Sequence, residues 1–408
     1  MSYAERLRAA LSPADLAVVD RLARLAAQRH VAIYLVGGPV RDCLSGRSVI
    51  DLDMAVEGAA IDLARAWANE AGGTLTAHAR FGTAKWLAPD RTRSIDLAMT
   101  RTETYARPGA LPDVTRGTLA TDLIRRDFTV NALALRLDGN HFGELIDLYG
   151  GERDLQAGVV RVLHPRSFSD DPTRLFRAAR FEQRFEWVVA AETLALMADA
   201  LPVIDQISGD RLRHEFELIF RETRPDRSLR RLAAWSVLRQ IDPALGIDDR
   251  SGGRLSHSVE AFLGWTYWLA ELPVVDVRRV ALRLNLRRED AVDLEQVAGL
   301  LSAADSIGLA GAASVVYRQL ASYHDRAVRA ALELIEHERA QNNIRRYLDE
   351  WQHVQPELDG TQLQQLGMLP GPALGRLLRE LTAARLDGVV ATRQAEEDYA
   401  RQWMAREA

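Results

Sequence analysis

The stretch from Leu35 to Val56 constrains the fold and the chemistry of this 408-residue chain more than any other. It predicts a short apolar strand that ends at the Gly37-Gly38 pair, a helical turn, and a second strand that carries Asp51 and Asp53. Paired glycines let a backbone approach a phosphate closely because they have no Cβ. Period-two spacing places both carboxylates on one face of the second strand, where they can bind a common metal ion. The stretch therefore indicates metal-dependent chemistry on a nucleotide.

Either half of this stretch is weakly specific by itself. A Gly-Gly pair is usually just a turn, and an Asp-x-Asp pair is often a solvated strand end. The two halves occur close together with Arg41 between them, and an apolar Leu52 separates the two acids as an alternating strand requires. The combination favours a functional site over the two structural alternatives.

Composition excludes several classes of protein. The residues are 47% apolar and 27% charged, which is typical of a globular chain. A single cysteine, Cys43, excludes a disulfide framework and fits a reducing compartment. No apolar run approaches the roughly 20 residues that span a bilayer, and the first residues mix acids with arginines, unlike a secretory signal. We therefore expect a cytoplasmic protein without a membrane partner. A net charge of −5 means that nucleic-acid binding would need a local basic surface.

Periodicity predicts an α/β or α+β N-terminal part, in which short strands alternate with helices, followed by an all-helical remainder. Two helices lead, and a helix over Ala59–Ala71 lies among the strands. The predicted strands are Ala32–Val36, Ile50–Val56, Thr74–His78, Ala84–Leu87, Ser94–Met99, Ala132–Leu137 and Leu145–Leu148. After Asp154 the strand signal stops. The segment Gly246–Arg254 is predicted to be a loop at a domain boundary.

Two further stretches supply polar residues to the N-terminal part. Asp96 lies on a predicted strand and is a candidate third carboxylate for phosphoryl transfer, although a surface acid on an edge strand remains the alternative. In the stretch that begins RRDFTVNALA, Arg126 can clamp phosphate oxygens with its planar guanidinium. Asp127 and Asn131 can hydrogen-bond ribose hydroxyls or can cap the element that follows.

The segment that follows residue 167 predicts a strongly basic helix. Asp171 and Pro172 form a typical helix start, with an acidic N-cap and a proline in the first turn. The helix then repeats arginine at spacings of three, three and four, which places Arg174, Arg177, Arg180 and Arg184 along one face. Because like charges on one face cost stability, we expect an anionic partner to lie against them.

Taken together, these stretches resemble the class II tRNA nucleotidyltransferases, which comprise CCA-adding enzymes and their CC-adding and A-adding relatives. Bacterial poly(A) polymerases share the head domain. The matching motifs are GGPVRD with DLD, RRDFTVNALA, DDPTRLFRAARF and ISGDRLRHEFELIF, between about residues 31 and 222. The family has Glu-Asp where this chain has Asp170-Asp171, which weakens only a role for Asp170. The resemblance implies an α+β fold, in which a nucleotidyltransferase head with a small mixed β-sheet (1–155) is followed by an all-helical remainder. That remainder would comprise a neck that recognises the base (156–230), a body (231–345) and a tail (346–408) that binds tRNA.

The resemblance also implies roles for individual residues. Asp51 and Asp53 would bind catalytic Mg²⁺, and Asp96 matches the position of the family's third catalytic acid. Asp171 and Arg174 would recognise the base, and Arg177 and Arg180 would support them or contact phosphates. The remaining residues expected to bind the triphosphate and sugar are Gly37, Gly38, Arg41, Arg126, Asp127 and Asn131.

Recognition of C and A by one Asp–Arg pair has a physical basis. Cytosine and adenine both present an exocyclic amine beside a ring-nitrogen acceptor, which a carboxylate and a guanidinium can bind. Uracil and guanine place a carbonyl where the amine was, and an unpaired buried polar group costs about 1–3 kcal/mol. The expected reaction is attack of the tRNA 3′-hydroxyl on the α-phosphorus of CTP or ATP, with release of pyrophosphate. The expected partners are these nucleotides and the acceptor and T arms of tRNA.

Three alternatives remain open at this point. The first is addition of CC only or of A only, because the loop between Asp96 and Arg125, with its PGALP centre, does not identify the subtype. A bacterial poly(A) polymerase is disfavoured, because the chain lacks the two tyrosines after the asparagine motif and lacks a lysine- and arginine-rich tail, its last forty residues containing several acids. An inactive RNA-binding or scaffold protein is disfavoured because Asp51, Asp53, Arg126 and Asp171 are intact.

Overall fold

The computed structural model of the protein describes residues 1–104 and 113–407. The chain divides into two compact units, Met1–Ser258 and Val259–Ala408. The PGALP centre of the predicted loop, at residues 108–112, lies outside the described residues. The prediction of a loop over Gly246–Arg254 is wrong in part, because Asp249–Arg254 forms a short helix whose Asp248 N-cap makes a capping box with Ser251.

Seven of the described strands form one mixed sheet in the first unit. The described strands of the chain are β1 (Ala32–Val36), β2 (Leu52–Glu57), β3 (Thr74–His78), β4 (Thr83–Leu87), β5 (Ser94–Met99), β6 (Arg101–Thr104), β7 (Asp113–Arg116), β8 (Leu133–Arg136), β9 (Leu145–Asp147), β10 (Val159–Val160) and β11 (Val188–Val189). The strand order of the sheet is β3-β4-β5-β2-β1-β8-β9, and β2 and β5 run parallel whereas the other neighbours are antiparallel. Separate two-stranded pairs are formed by β6 with β7 and by β10 with β11.

Helices precede, interrupt and follow these strands. The helices of the first unit are α1 (Tyr3–Ala10), α2 (Pro13–Gln28), α3 (Gly38–Leu44), α4 (Ala60–Ala71), α5 (Leu119–Ile124), α6 (Gly151–Ala157), α7 (Ser167–Asp170), α8 (Arg174–Phe185), α9 (Ala191–Ala200), α10 (Gly209–Phe220), α11 (Pro225–Ala234), α12 (Val237–Ile241) and α13 (Asp249–Arg254). Short 3-10 helices lie at Ala79–Phe81, Thr129–Asn131, Gly139–His141 and Leu201–Gln206.

The seven strands predicted from alternation are the seven strands of the sheet, so the α+β interpretation is confirmed. The bounds of β1, β3 and β5 are as predicted, whereas β2 begins at Leu52 rather than at Ile50. Ile50 and Asp51 are exposed, and the pairing of β2 with β5 begins at Leu52, which lies opposite Ile95. The short strands β6, β7, β10 and β11 were not predicted, and β10 and β11 contradict the expectation that strands stop after Asp154.

Two apolar clusters cover the two faces of the sheet. Leu52 and Met54 of β2 pack in a large cluster with residues of α1, α2 and α4, such as Leu22 and Trp67. Ala55 packs in a smaller cluster with residues of α5. Because side chains alternate along a strand, Asp53 lies on the face of Ala55 and Leu52 on the opposite face. The alternation predicted from the sequence therefore directs the carboxylate away from the main core.

The second unit contains helices as its regular structure over the residues described. They are α14 (Ala261–Leu269), α15 (Val274–Arg283), α16 (Arg288–Ser302), α17 (Ala304–Leu309), α18 (Ala313–Leu320), α19 (Asp325–Leu334), α20 (Glu338–Asp349), α21 (Gly360–Gln365), α22 (Pro372–Leu386) and α23 (Arg393–Glu407), with a 3-10 helix at Trp351–His353. Leu358, Leu363 and Leu377 centre an apolar cluster that joins α21 to α22. In the part of the chain that the structure describes, no helix is both long and apolar enough to cross a membrane.

Candidate active site

A polar cavity of about 530 Å³ in the first unit gathers most of the residues predicted from the sequence. Nine of the thirteen predicted site residues line it, and the other four are Arg41, Asp51, Asp96 and Arg180. The lining residues are Gly37, Gly38, Asp53, Glu103, Arg125, Arg126, Asp127, Asn131, Asp171, Thr173, Arg174, Arg177, Arg211 and Glu215. Strands β2 and β6 and helices α3, α8 and α10 all contribute.

Of the three predicted catalytic acids, Asp53 lines the cavity, and Asp96 lies beside it on the neighbouring strand. Asp53 on β2 is the register partner of Asp96 on β5, so their side chains leave the same face of the sheet. Asp96 is in turn opposite Lys85 on β4, and the Lys85 Nζ lies 3.1 Å from the Asp96 Oδ2. Asp51 lies immediately before β2 and is exposed. The sequence correctly placed Asp96 beside the first pair of acids, but the structure also gives it a lysine partner.

The electrostatics of Asp53 fit a cation site. Burial raises the pKa of Asp53, and the like charges of Asp96 and Asp51 raise it further, against the opposing charges of Arg126 and Lys85. A divalent cation bound by Asp51 and Asp53 would relieve this repulsion, and carboxylate oxygens are its preferred ligands. Over residues 1–104 and 113–407, no three His, Cys, Asp or Glu side chains are grouped as a metal site. An ion held by two carboxylates would take its other ligands from water and substrate oxygens.

Gly37 occupies a position that no side chain fits. Its φ of +74° lies in the left-handed region, and an added Cβ would lie 2.9 Å from the Nη1 of Arg126. Gly38 then begins α3, with Pro39 in the first turn. The paired glycines thus turn the chain sharply and bring its backbone against a guanidinium of the cavity wall.

Arg125 and Arg126 are held in the cavity wall by one buried carboxylate. Asp122, which is 1% exposed, accepts hydrogen bonds from the Nη2 of Arg125 at 2.7 Å and from the Nη2 of Arg126 at 2.9 Å. Burial alone would raise the pKa of Asp122, but the charges of the two arginines outweigh it and hold that pKa low. Arg125 also donates to Glu103 on β6 at 2.9 Å. These ion pairs fix two cations at the cavity.

Asp127 connects the head sheet to α8. Its carboxylate accepts hydrogen bonds from the Asn131 Nδ2 at 2.9 Å and from the Arg177 Nη2 at 2.6 Å. Burial works to raise the pKa of Asp127, but the charge of Arg177 and the hydrogen bonds from Asn131 and Arg177 hold it below its usual range. The alternative that these residues cap the next element is wrong, because the 3-10 helix Thr129–Asn131 has no side-chain cap.

Arg41 contacts this network without lining the cavity. It is 7% exposed, and its Nη1 donates to the Asn131 Oδ1 at 2.8 Å. Its guanidinium lies 5.3 Å from the ring centre of Phe181 and 4.9 Å from that of Phe185. Arg41 is absent from the lining, so the structure does not bring it to the position expected of a residue that contacts the triphosphate.

The predicted helix start at Asp171 is wrong. Helix α7 ends at Asp170, Asp171 is its C-cap, and α8 begins at Arg174 without a side-chain cap. The Asp171 Oδ1 instead accepts hydrogen bonds from the backbone N–H of Thr173 at 3.2 Å and from its Oγ1 at 2.7 Å. This local turn competes with helix formation and turns the carboxylate towards the cavity.

The arginines of α8 mostly contact acids of the protein itself. Arg180, which is 7% exposed, donates to Glu222 at 2.8 Å, and Arg184 contacts the same carboxylate. Together with the Asp127–Arg177 pair, these contacts correct the expectation that the arginine face requires an external anion. The carboxylates lie far along the chain, so the local sequence could not show them. Leu175 and Ala178 on the opposite face are buried.

Asp171 and Arg174 both line the cavity, as a base-recognition pair requires. The Asp171 Oδ1 also accepts a hydrogen bond from the Arg211 Nη2 at 2.7 Å. The terminal nitrogens of Arg174 donate to the backbone oxygens of Ser167 and Arg125, which uses two of the five N–H donors of the guanidinium. Both side chains are therefore fixed and retain hydrogen-bonding capacity for a ligand.

Several cavity residues were not predicted. Arg211 and Glu215 lie one turn apart on α10, within the matched motif ISGDRLRHEFELIF. The Glu215 Oε2 is buried without a hydrogen-bond partner, and burial raises the pKa of Glu215 despite the nearby Arg177 and Arg180. Their spacing of four on an amphipathic helix was the available signal. No sequence signal identified Glu103, because nothing near it in the sequence indicates that β6 belongs to the site.

A mixed sheet that carries Asp53 and Asp96 beside a polar, arginine-rich cavity is the arrangement expected of a nucleotidyltransferase. The comparisons agree with this class. Residues 33–161 match the family model described as the poly A polymerase head domain. Residues 188–246 match the model described as a probable RNA and SrmB-binding site of polymerase A.

Curated relatives identify the family more closely. The A-adding tRNA nucleotidyltransferase of Halalkalibacterium halodurans is 30% identical over 95% of this chain and 92% of the relative. The CC-adding tRNA nucleotidyltransferase of Deinococcus radiodurans is 34% identical over 97% of this chain and 94% of the relative. The chain belongs to the tRNA nucleotidyltransferase family. It also matches the A-adding enzyme of Geobacter sulfurreducens at 34% identity, but spans 46% of that relative's length.

Solved structures extend the similarity to the whole chain. A CCA-adding enzyme in its apo form II superposes with a TM-score of 0.80 at 29% identity, covering 98% of this chain and 99% of that one. The Thermotoga maritima CCA-adding enzyme in complex with tRNA superposes with a TM-score of 0.72 at 27% identity, covering 99% of each chain.

Proposed function

We propose that this protein adds C residues, A residues or both to the 3′ end of tRNA, from CTP and ATP, without a nucleic-acid template. One observation carries the proposal. The carboxylate of Asp53 and the Asp171–Arg174 pair line the same cavity, so a nucleotide could be recognised by its base and react at its phosphate in one place. The A-adding and CC-adding relatives and the CCA-adding structures support the same activity.

Base recognition would fall to Asp171 and Arg174. The exocyclic amine of cytosine or adenine would donate to Asp171, and the ring nitrogen would accept from Arg174. The hydrogen bond from Arg211 holds the Asp171 carboxylate in place, so little orientation entropy would be lost on binding. Arg177 contributes indirectly, because its pair with Asp127 fixes the first turn of α8.

Phosphate binding and catalysis would fall to the head. The guanidiniums of Arg125 and Arg126, with the Gly37–Gly38 turn, form a cationic wall suited to the triphosphate. Members of this family use a divalent metal ion, and Mg²⁺ at Asp51 and Asp53 would supply the charge that lowers the pKa of the attacking 3′-hydroxyl. Asp96 lies close enough in register to orient or polarise the same groups. The chain's own contribution is positioning and preorganised charge.

The remaining proposals concern organisation. Residues 1–155 would act as the catalytic head, 156–230 as the neck, 231–345 as the body and 346–408 as the tail. The body and tail would bind the acceptor and T arms of tRNA through shape and phosphate contacts. A cytoplasmic location agrees with a single buried cysteine, Cys43.

The test uses three tRNA transcripts, which end before the first C, after CC, and after CCA. Each is incubated with Mg²⁺ and with CTP, ATP or both, and products are sized on a sequencing gel. The Asp51→Ala/Asp53→Ala variant is the blank. Stepwise growth to CCA followed by a halt identifies the complete enzyme, and growth by CC only or by A only identifies a partial activity.

Other results would contradict the proposal. Long A tails would indicate a poly(A) polymerase, and wild-type incorporation no greater than that of the blank would contradict enzymatic function altogether. Both partial activities are retained as outcomes, because relatives covered over most of their length include one A-adding and one CC-adding enzyme.

A further inference from the structure

A second cavity lies in the first unit and shares no lining residue with the candidate active site. It has a volume of about 350 Å³ and is formed by the turn after α3, the end of α8 and the start of α11. Four guanidiniums and two carboxylates line it, an excess of positive charge. The residues that matter for its chemistry are Arg47, Arg184, Phe185, Arg224, Arg227 and Ser228.

Ser228 points to a ligand in this cavity. It is 1% exposed, and its Oγ is buried without a hydrogen-bond partner. It is the fourth residue of α11, a ten-residue helix whose N-terminus carries partial positive charge. Since an unpaired buried hydroxyl costs free energy, an acceptor that enters the cavity and reaches Ser228 would gain this donor.

The arginines differ in how firmly the protein holds them. Arg184 is tied to Glu222, and Arg224 makes a bidentate pair with Asp226. Arg227 lies 3.6 Å from Glu186, whose side chain is 83% exposed, and such pairs are weak.

Arg47 is the most available cation of the four. Within the described part of the chain it contacts the ring of Phe185 at 4.7 Å and has no carboxylate partner. Stacking orients its guanidinium and leaves its edges open to an anion. The cavity thus contains two exchangeable cations, Arg47 and Arg227, which are free to pair with a ligand, and one unpaired hydroxyl donor, Ser228. Three donors of this kind suit the several oxygens of a phosphate better than a carboxylate or a neutral ligand.

Its position relates the cavity to the reaction. Arg47 precedes Asp51 by four residues, so their Cα atoms are at most about 14 Å apart. A phosphate a few nucleotides before a 3′-hydroxyl at the carboxylates is therefore within reach of this cavity. We propose that the cavity formed by Arg47, Arg227 and Ser228 binds a backbone phosphate of the acceptor strand, a few nucleotides before the attacking 3′-hydroxyl. This inference rests on the proposed function and adds a binding site to it.

The first experiment compares two double variants of the full chain. Arg47→Ala/Arg227→Ala removes the two exchangeable cations, and Arg21→Ala/Arg65→Ala removes two exposed arginines of α2 and α4 as a matched control. Affinity for a tRNA that ends in CC is measured by filter binding between 50 and 200 mM salt, without nucleotide. We expect binding about tenfold weaker at low salt, and a slope of log K against log salt that falls by about 0.7 for the lost phosphate contact. The control should keep the wild-type slope.

Further measurements show whether the phosphate bound in this cavity belongs to tRNA or to the incoming nucleotide. The KM for CTP and for ATP should stay at the wild-type value, and Ser228→Ala should weaken tRNA binding by a smaller factor. Single methylphosphonate linkages placed along the acceptor strand should weaken wild-type binding at one position, and that position should have no further effect in the Arg47→Ala/Arg227→Ala variant. Thermal unfolding of both double variants checks that they fold.

Two results would overturn the inference. One is that Arg47→Ala/Arg227→Ala binds tRNA as tightly as the control variant does, or that each methylphosphonate weakens the binding of this variant as much as it weakens wild-type binding. The other is a raised KM for CTP with unchanged tRNA affinity, which would assign the cavity to the incoming triphosphate. Because binding is measured without nucleotide, a wild-type protein that binds tRNA but adds nothing would contradict the proposed function and leave this test interpretable.

Discussion

Asp127 offers the sharpest test of how the cavity is held together. Replacing it with asparagine keeps its shape but removes the charge that pairs with Arg177, whose Nε and Nη2 lie 2.9 and 2.6 Å from one carboxylate oxygen. Breaking a buried ion pair from one side typically costs about 3–5 kcal/mol. The Arg177 side chain is 37% exposed and can turn to water, so we expect a smaller loss, about 2 kcal/mol.

The pH dependence of this loss has a definite sign. Arg177 and Asn131 hold the pKa of Asp127 below its usual range in the folded protein. Such a carboxyl contributes stability that is fully present above its unfolded pKa, near 3.9, and is lost as the pH falls through the folded value. The difference in stability between wild type and Asp127→Asn should therefore be full at neutral pH and shrink below about pH 4.

Thermal unfolding followed at several pH values measures this difference. For a unit of this size, about 2 kcal/mol corresponds to a Tm lower by roughly 4–8 °C. The matched control is Asp62→Asn, which removes an exposed Asp–Arg pair on α4 and should change stability by about 0.5 kcal/mol or less. At pH 7 the kcat/KM for CTP and for ATP should both fall, because α8 loses its link to the head. A Tm equal to that of the control at neutral pH would refute the reasoning.

Three other changes test separate parts of the site. Gly37→Ala forces a side chain into a positive-φ position 2.9 Å from a guanidinium and should lower kcat/KM about tenfold or more, whereas Gly46→Ala, also at positive φ but with nothing within 4 Å, should have little effect on activity. Asp96→Asn removes a charge that raises the pKa of Asp53, so the acid limb of the kcat/KM profile should move to lower pH; an unmoved limb would exclude that coupling. Glu215→Gln should raise the Tm at pH 8 and give a gain that disappears towards acid pH, because the folded protein disfavours the charged form; a loss of stability at pH 8 would contradict this.

The head sheet was predictable because its strands are short, apolar and bounded by turn residues. Alternation in β2 was enough to place Asp53 opposite Leu52, and pairing of β2 with β5 brought Asp96 to the same face. Asp53, Asp171 and Arg174 were singled out from sequence because each lies within a short motif, and the structure places all three at one cavity; their roles in metal binding and base recognition stay predictions. Local sequence carries this information directly.

The parts that failed depend on contacts between distant segments. Arg177, Arg180 and Arg184 looked like a surface for an external anion because the acids that neutralise them, such as Glu222, lie far along the chain. The start of α8 was misplaced because the Asp171 carboxylate binds Thr173 in a turn, an alternative that uses the same residue types as a helix cap. Arg41 has a buried supporting position that only the packing of Phe181 and Phe185 reveals.

The most direct test of the central claim compares CTP with UTP as substrates on a tRNA that ends before the first C. If the cavity selects the base through Asp171, the wild-type protein should favour CTP by about ten- to a hundredfold in kcat/KM, since a carbonyl facing that carboxylate costs about 1–3 kcal/mol. Asp171→Asn, whose amide can donate to that carbonyl, should reduce the preference to a few-fold while incorporation of UTP rises. An unchanged preference for CTP in Asp171→Asn would contradict the account and move base recognition elsewhere in the chain.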